Sequence, residues 1–376
     1  MSLFIIVGTV LLALSIYEFN KRKTSNAAYW FAFLVLTAML CFRYGQGTDY
    51  FAYQYIYEKL PDTLNIITLN KSSIHSEVGW KLLCVIFRKL GFSFYLFNGL
   101  VGAVTMLFLN RFIQKFCTLK VTALFIAYPT LYLTYIYSGV RQGLVMCVFL
   151  GLLLEWYLEK KNTKFIISVL LCTQIHSGAL VLLILLLTPL KSFFIKHQGT
   201  IITMAWVIGL GLSVSGISLN FLGRSFTNEG FTTNIAAVAE RLLTYFVIRF
   251  FYNRYKIVIT SKNRFLTSIF YIYSMSMTLY GLFFSMPTVS SRICYFFKVV
   301  EIIIIIVMLS CSKEEFPDVS TLFFYIAALS MVMIIKNIDS YLTQGIYYDY
   351  VTVWNYPYNN IFEKGNYRFS IYQNLL

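Results

Sequence analysis

Four short clusters in this chain carry residue types that can hold an anion or move a proton. They are Arg43-Tyr44-Gly45-Gln46-Gly47-Thr48-Asp49-Tyr50, Ser138-Gly139-Val140-Arg141-Gln142-Gly143, Gln174-Ile175-His176-Ser177 and Ser290-Ser291-Arg292-Ile293-Cys294-Tyr295-Phe296. Three supply an arginine (Arg43, Arg141, Arg292) and one an imidazole, His176. A guanidinium keeps its charge and meets phosphate oxygens through two parallel N–H bonds, which an ammonium cannot do. Three of them on one face would suit a phosphate or diphosphate. An imidazole, with an unperturbed pKa of ~6.5, suits a general base. Asp49 and Glu77 can act as a base or pair with an arginine, and pairing is the commoner fate of a lone carboxylate beside cations.

Each of these residues also has a plainer reading. An arginine at a helix end can snorkel to the interface, and an isolated histidine in an apolar stretch is commonly a hydrogen-bonded core residue. Tyrosine belts form at membrane surfaces without any ligand. The run Tyr44, Tyr50, Phe51, Tyr53, Tyr55, Tyr57 nevertheless exceeds what a belt needs. With Gln46 and Gln142 it could hold sugar rings, faces against aromatic faces and hydroxyls bonded at the edges.

The elements that must position these groups are membrane helices. Of 376 residues, 58% are hydrophobic and 12% charged, with mean hydropathy +0.69. A soluble domain carries about a quarter charged residues. The formal net charge of +15 would raise the question of nucleic acid in a soluble protein. Here the charge sits in short patches between apolar segments, as loops facing an anionic leaflet carry it, so nucleic acid is not an expected partner. The seven cysteines lack CxxC or metal-ligand spacing and read as small core residues. The expected chemistry therefore needs neither metal nor cofactor.

Apolar windows predict spans at 3–18, 28–42, 93–110, 121–137, 139–157, 198–219, 236–252, 265–285, 293–310 and 320–336. Two pieces do not fit single crossings: 77–91 is short and charged, and 165–190 is interrupted by His176-Ser177-Gly178. Basic patches at 21–23, 111–120, 158–164 and 253–264 all lie inside only if both pieces return to the side they came from. The predicted fold is therefore all-α and polytopic, with about ten spanning helices plus two re-entrant or short-helix hairpins. It forms one transmembrane domain over 1–336 and an outer-side tail over 337–376. In this topology Arg43, Arg141, His176 and Arg292 share the outer side. Charge at membrane depth costs at least ~2.5–3.5 kcal/mol, so such agreement points to a site.

At these residues the chain resembles the EpsG family of exopolysaccharide and O-antigen polymerases, the Wzy-type enzymes. The resemblance rests on Arg43 with Gly47-Thr48-Asp49-Tyr50 and Tyr53, on Glu77-Val78-Gly79-Trp80, on Arg141-Gln142, on His176-Ser177 and on Ser291-Arg292 with Tyr295-Phe296. It implies a glycosyltransferase of the bacterial inner membrane that joins polyprenyl-diphosphate-linked oligosaccharide units at the periplasmic face. Arg141, Arg292 and Arg43 would hold the diphosphate and His176 would be the base, with Asp49 its substitute. A chain-length regulator and a flippase are the protein partners such an enzyme would work beside. A ligase and a lipid-linked oligosaccharide flippase are the competing readings. A flippase should carry its charges along a path through the midplane.

Overall fold

The computed structural model describes residues 1–221, 224–229, 235–344 and 351–362. Its helices run, in chain order, α1 (Leu3–Lys21), α2 (Asn26–Cys41), α3 (Tyr50–Lys59), α4 (Ile66–Lys71), α5 (Val78–Lys89), α6 (Phe94–Phe116), α7 (Lys120–Ala127), α8 (Val140–Val148), α9 (Leu154–Leu158) and α10 (Asn162–Thr173). They continue as α11 (Thr188–Ser215), α12 (Ile235–Arg254), α13 (Lys256–Lys262), α14 (Leu266–Phe283), α15 (Pro287–Val289), α16 (Tyr295–Lys298), α17 (Glu301–Leu309) and α18 (Val319–Gln344). Wider π-helical turns occupy Tyr128–Ser138, Phe149–Leu153 and Ser290–Cys294, and a 3-10 helix occupies Ser177–Leu186. The described strands are one antiparallel ladder, β1 (Leu219–Phe221) with β2 (Arg224–Phe226).

Among the described residues six helices are long and apolar enough to cross a membrane: Leu3–Lys21, Phe94–Phe116, Val140–Leu158, Lys191–Ser215, Leu266–Phe283 and Val319–Thr343. They coincide with six of the ten predicted windows; the other four do not give such a helix. Window 28–42 forms a helix of 16 residues. In 121–137 the α-helix gives way to π geometry after Ala127. Glu240, Arg241 and Arg249 interrupt the apolar run of α12, and 293–310 breaks between Lys298 and Glu301. The two awkward pieces are likewise not single long helices. The first forms α5, of 12 residues, and the second breaks at Gln174–His176 between α10 and the 3-10 helix. The segment read as an aromatic loop is helical too, as α3 and α4.

The chain divides into two compact units, one of Met1–Leu154, Leu170–Ser177 and Asp318–Leu376, the other of Glu155–Val169 and Gly178–Pro317. The π stretch Tyr128–Ser138 is the hub of the first. Pro129 has no N–H to give an α-helical ladder, and the wider turns that follow aim tyrosines at several neighbours. Tyr128 donates to the Phe4 carbonyl of α1 at 3.0 Å, and Tyr132 donates to the Leu36 carbonyl of α2 at 2.6 Å. Asn337 of α18 donates to the Pro129 carbonyl at 2.7 Å and accepts from Thr134 at 2.9 Å. Polar groups buried away from water must find partners within the protein, and this stretch supplies them to three helices. At the start of α7, Glu18 accepts from the amides of Val121 (3.2 Å) and Thr122 (2.7 Å), capping the helix from another chain segment.

The C-terminal segment 351–362 lies across this unit as a strap. Ser2 N–H donates to the Trp354 carbonyl at 2.6 Å, Tyr44 N–H to the Asn359 carbonyl at 2.9 Å, and Ile361 N–H to the Phe42 carbonyl at 2.9 Å. Tyr358 donates to the Met39 carbonyl at 3.1 Å, and Gln46 donates to the Pro357 carbonyl.

In the second unit, α11 packs on α14, with Trp206 stacked on Phe284 at 5.5 Å. Tyr252 of α12 stacks on Phe270 of α14 at 3.7 Å.

Gly47 sits at φ +91°, and a Cβ there would lie 2.8 Å from the Tyr137 carbonyl. Gly47→Ala should therefore lower stability by about 1–3 kcal/mol, read as a depressed thermal midpoint in detergent. An unchanged midpoint would mean that the loop is not held as described.

Candidate functional site

The loop after α2 turns twice through positive φ, at Gly45 and Gly47, and this brings it onto the end of the π stretch. Thr48 N–H donates to Ser138 Oγ at 2.8 Å, and the two hydroxyls lie 2.6 Å apart. Tyr137 donates to Gln46 Oε1 at 2.7 Å. Arg43 is turned inward and only 1% exposed. Its guanidinium lies 4.7 Å from the Tyr137 ring and 5.7 Å from that of Tyr50, with one long bond to Asn98, 3.5 Å. Among the described residues no carboxylate pairs with it, and its Nε and Nη1 have no hydrogen-bond partner.

Arg141 stands in the first turn of α8. Its Nη1 donates to Ser76 Oγ at 2.8 Å and pairs with Glu77 Oε2. Its guanidinium centre lies 5.5 Å from the Tyr53 ring, and its Nε is buried with no hydrogen-bond partner among the described residues. The other Glu77 oxygen accepts from Ser177, from N–H at 3.1 Å and from Oγ at 3.0 Å. That turn is held close by Gly79, where a Cβ would come within 2.6 Å of Gln174 Cβ, and Trp80 N–H donates to the Gln174 carbonyl at 3.0 Å. His176, next to Ser177, is buried. Burial pushes the Glu77 carboxyl upward, but the Arg141 charge, the Ser177 amide and His176 outweigh it and hold the group below the usual carboxylate range. Burial, helped by Asp49, pushes the Tyr53 phenol up to about 12 against the opposing pull of Arg141.

The first unit thus gathers predicted residues from far apart in sequence: Arg43 and Gln46 at the π-stretch end, and Arg141, Glu77, Tyr53, His176 and Ser177 at one junction. Asp49 is exposed and precedes α3. Tyr50, Tyr53 and Tyr57 point inward from α3 onto a core with Trp80, Phe94 and Phe97, while Tyr44 is half-buried and Gln142 buried. Arg292 belongs to the second unit, half-buried in the π turn Ser290–Cys294.

That second unit holds charges that the sequence reading passed over. Arg241 lies 4.0 Å from the Tyr280 ring and 4.3 Å from that of Tyr295, and Lys298 pairs with Glu301 at 2.7 Å. Arg241 and Lys298 line a small enclosed cavity with Tyr245, Tyr273 and Tyr280. The available signal was an i,i+3 pair of opposite charges within an apolar window. Among the described residues no group of three or more His, Cys, Asp or Glu is placed to hold a metal ion.

The EpsG family model matches residues 26–356. The chain belongs to the EpsG family. This is a Wzy-like polymerase family, and with six apolar spans and further short apolar helices the chain is a multi-pass membrane protein of the polysaccharide-polymerase type. The match takes in all four clusters and the first half of the strap, up to Tyr356. No curated protein and no solved structure matches this EpsG chain.

The linkage at Glu77 has a definite sign. A carboxyl held low in the folded state stabilises it at pH values above the unfolded value of ~4.3, and that contribution is lost as pH falls through the folded value. Glu77→Ala would strand Arg141 and should cost about 3 kcal/mol. Glu77→Gln should lose part of the acid-dependent fall of the thermal midpoint below about pH 4. Equal acid slopes for Glu77→Gln and the natural chain would show that the pair is not formed.

Proposed function

We propose that this EpsG protein is a glycosyltransferase joining polyprenyl-diphosphate-linked oligosaccharide units at the periplasmic face of a bacterial inner membrane, in exopolysaccharide or O-antigen synthesis. The observation that carries this reading is the two arginines of the first unit, Arg43 buried and Arg141 half-buried, each with a buried donor atom left unbonded among the described residues. Arg43 Nε and Nη1 and Arg141 Nε are buried without partners among the described residues. A buried donor left unmade costs ~1–3 kcal/mol, more when charged, and an anionic ligand removes that cost.

In the proposed reaction a hydroxyl of the acceptor glycan attacks the anomeric carbon of the donor. The C–O bond to the diphosphate breaks and its electron pair leaves with polyprenyl diphosphate. The hydroxyl proton passes to His176, or to Asp49 as substitute. Diphosphate is a good leaving group, so what accelerates the step is cationic stabilisation of the charge developing on it. Arg141 and Arg43 of the first unit are assigned that role; Arg292 is carried into it by the family resemblance alone. Glu77 fixes the position of Arg141 through the ion pair and ties it to Ser177. Tyr44, Gln46, Tyr50, Tyr53 and Gln142 are assigned to the glycan. Because Tyr50 and Tyr53 are packed into the core, their share is to shape the wall.

Arg141→Ala, Arg292→Ala and His176→Ala should each abolish polymer while protein remains in the membrane, scored on gels of surface glycan. Normal-length polymer from both arginine variants would remove the diphosphate role. Deleting the gene should leave a single repeat unit attached to its carrier. Complete loss of attached glycan would instead indicate a ligase or a flippase.

Sidedness has its own test. Asp49→Cys should react with an impermeant thiol reagent in intact cells; labelling only after lysis would place the site on the cytoplasmic face.

A further inference from the structure

An apolar groove of about 570 Å³ runs along the first unit. One wall is Val35, Ala38 and Met39 of α2 with Phe42 just beyond it, and the other is Tyr358 and Phe362 of the strap. The neighbouring surface of α2 is apolar and exposed, with Phe31 and Leu34 each 61% accessible, as a lipid-facing helix requires. Fluid lipid can fill any furrow, but two features set this one apart. Its walls are fixed by the Tyr358–Met39 bond, the Ile361–Phe42 backbone bond and the Phe42–Phe362 ring pair, 5.9 Å apart. Its volume falls in the range of preformed ligand sites, ~300–1,000 Å³. Its polar lining side chains are Tyr358, whose hydroxyl is bonded to the Met39 carbonyl, and Asn360. Asn360 in the strap wall is bridged backbone to backbone with Arg43, whose buried cation has no carboxylate to balance it among the described residues.

A mostly apolar groove whose strap wall is bridged through the backbone to the arginine loop fits an amphiphile with a long hydrocarbon chain and an anionic head. Resting on the reading of a lipid-diphosphate substrate, we infer that the groove between α2 and the C-terminal strap holds the isoprenoid tail of the polyprenyl diphosphate while its head lies against the Arg43 loop. The strap is then part of the substrate site.

The test uses the purified full chain in phosphatidylcholine nanodiscs and a polyprenyl diphosphate, without sugar, carrying a diazirine in its tail. Photolabel should map to 35–42 and 358–362, and unlabelled polyprenyl diphosphate should compete it away where phosphatidylglycerol does not. Ala38→Trp, which fills the groove, should cut that labelling severalfold and raise KM for the lipid-linked substrate more than it lowers kcat. Val35→Phe serves the same purpose if the first variant does not fold. Competed label at other residues would overturn the groove and leave the functional reading intact. Equal competition by phosphatidylglycerol would make it an ordinary lipid contact. Stronger labelling of a chain cut after Phe362 would mean that the chain's own last residues fill it. No competed label anywhere would bring down both the groove and the lipid-diphosphate reading.

Discussion

One carboxylate organises the first unit around its chemistry. Glu77 takes the Arg141 guanidinium on one oxygen and the Ser177 amide and hydroxyl on the other, so α8, the start of α5 and the turn after α10 meet at a single group. The ligands are 64 and 100 residues from Glu77 in sequence. A hydrophobic contact would tolerate sliding between these elements, whereas a half-buried ion pair with further hydrogen bonds resists it, because a charge stripped of its partner in such surroundings is costly. His176 gains its place through this constraint, being one residue from Ser177 on a turn that is itself bonded to α5.

The two arginines of that unit illustrate opposite solutions for a buried cation. Arg141 is neutralised locally and keeps a spare donor; Arg43 rests on tyrosine faces and has no balancing carboxylate among the described residues. Aromatic faces offset part of the desolvation of a guanidinium, by ~0.5–2 kcal/mol, but they leave its N–H groups unsatisfied. Lys298 and Glu301 in the second unit pair with each other at 2.7 Å, and the second Glu301 oxygen is left without a hydrogen bond among the described residues.

Helical class, the six strongest spans and the residues of the Arg141 junction were legible in the sequence because hydropathy and residue type report them directly. Four windows do not form one long apolar helix, for reasons that local hydropathy averages away: π geometry after Pro129 and among the tyrosines that follow it, the charges of α12, the shortness of α2 and the break at Lys298–Glu301. The aromatic run after Tyr50 read as a ligand-holding loop, yet Tyr50, Tyr53 and Tyr57 lie three to four residues apart, the spacing of one helix face, and they pack inward. The strap was illegible for another reason. Its polar, Tyr- and Asn-rich composition suggests an outer-side tail, and its contacts with residues 2, 39, 42, 44 and 46 are all long-range in sequence, where no periodicity can reveal them.

The strap also sets an order of events in biosynthesis. Gln46 and Pro357, which bond to each other, are 311 residues apart. At about 5–20 residues per second of synthesis, the Arg43 loop waits some tens of seconds for the segment that buttresses it. The helices of the first unit can insert and pack in that interval, but the loop is buttressed only when residues 351–362 have left the ribosome. A chain that stopped at any point in α18 would be membrane-embedded yet lack one wall of its groove, so assembly of the arginine loop waits on synthesis of the strap.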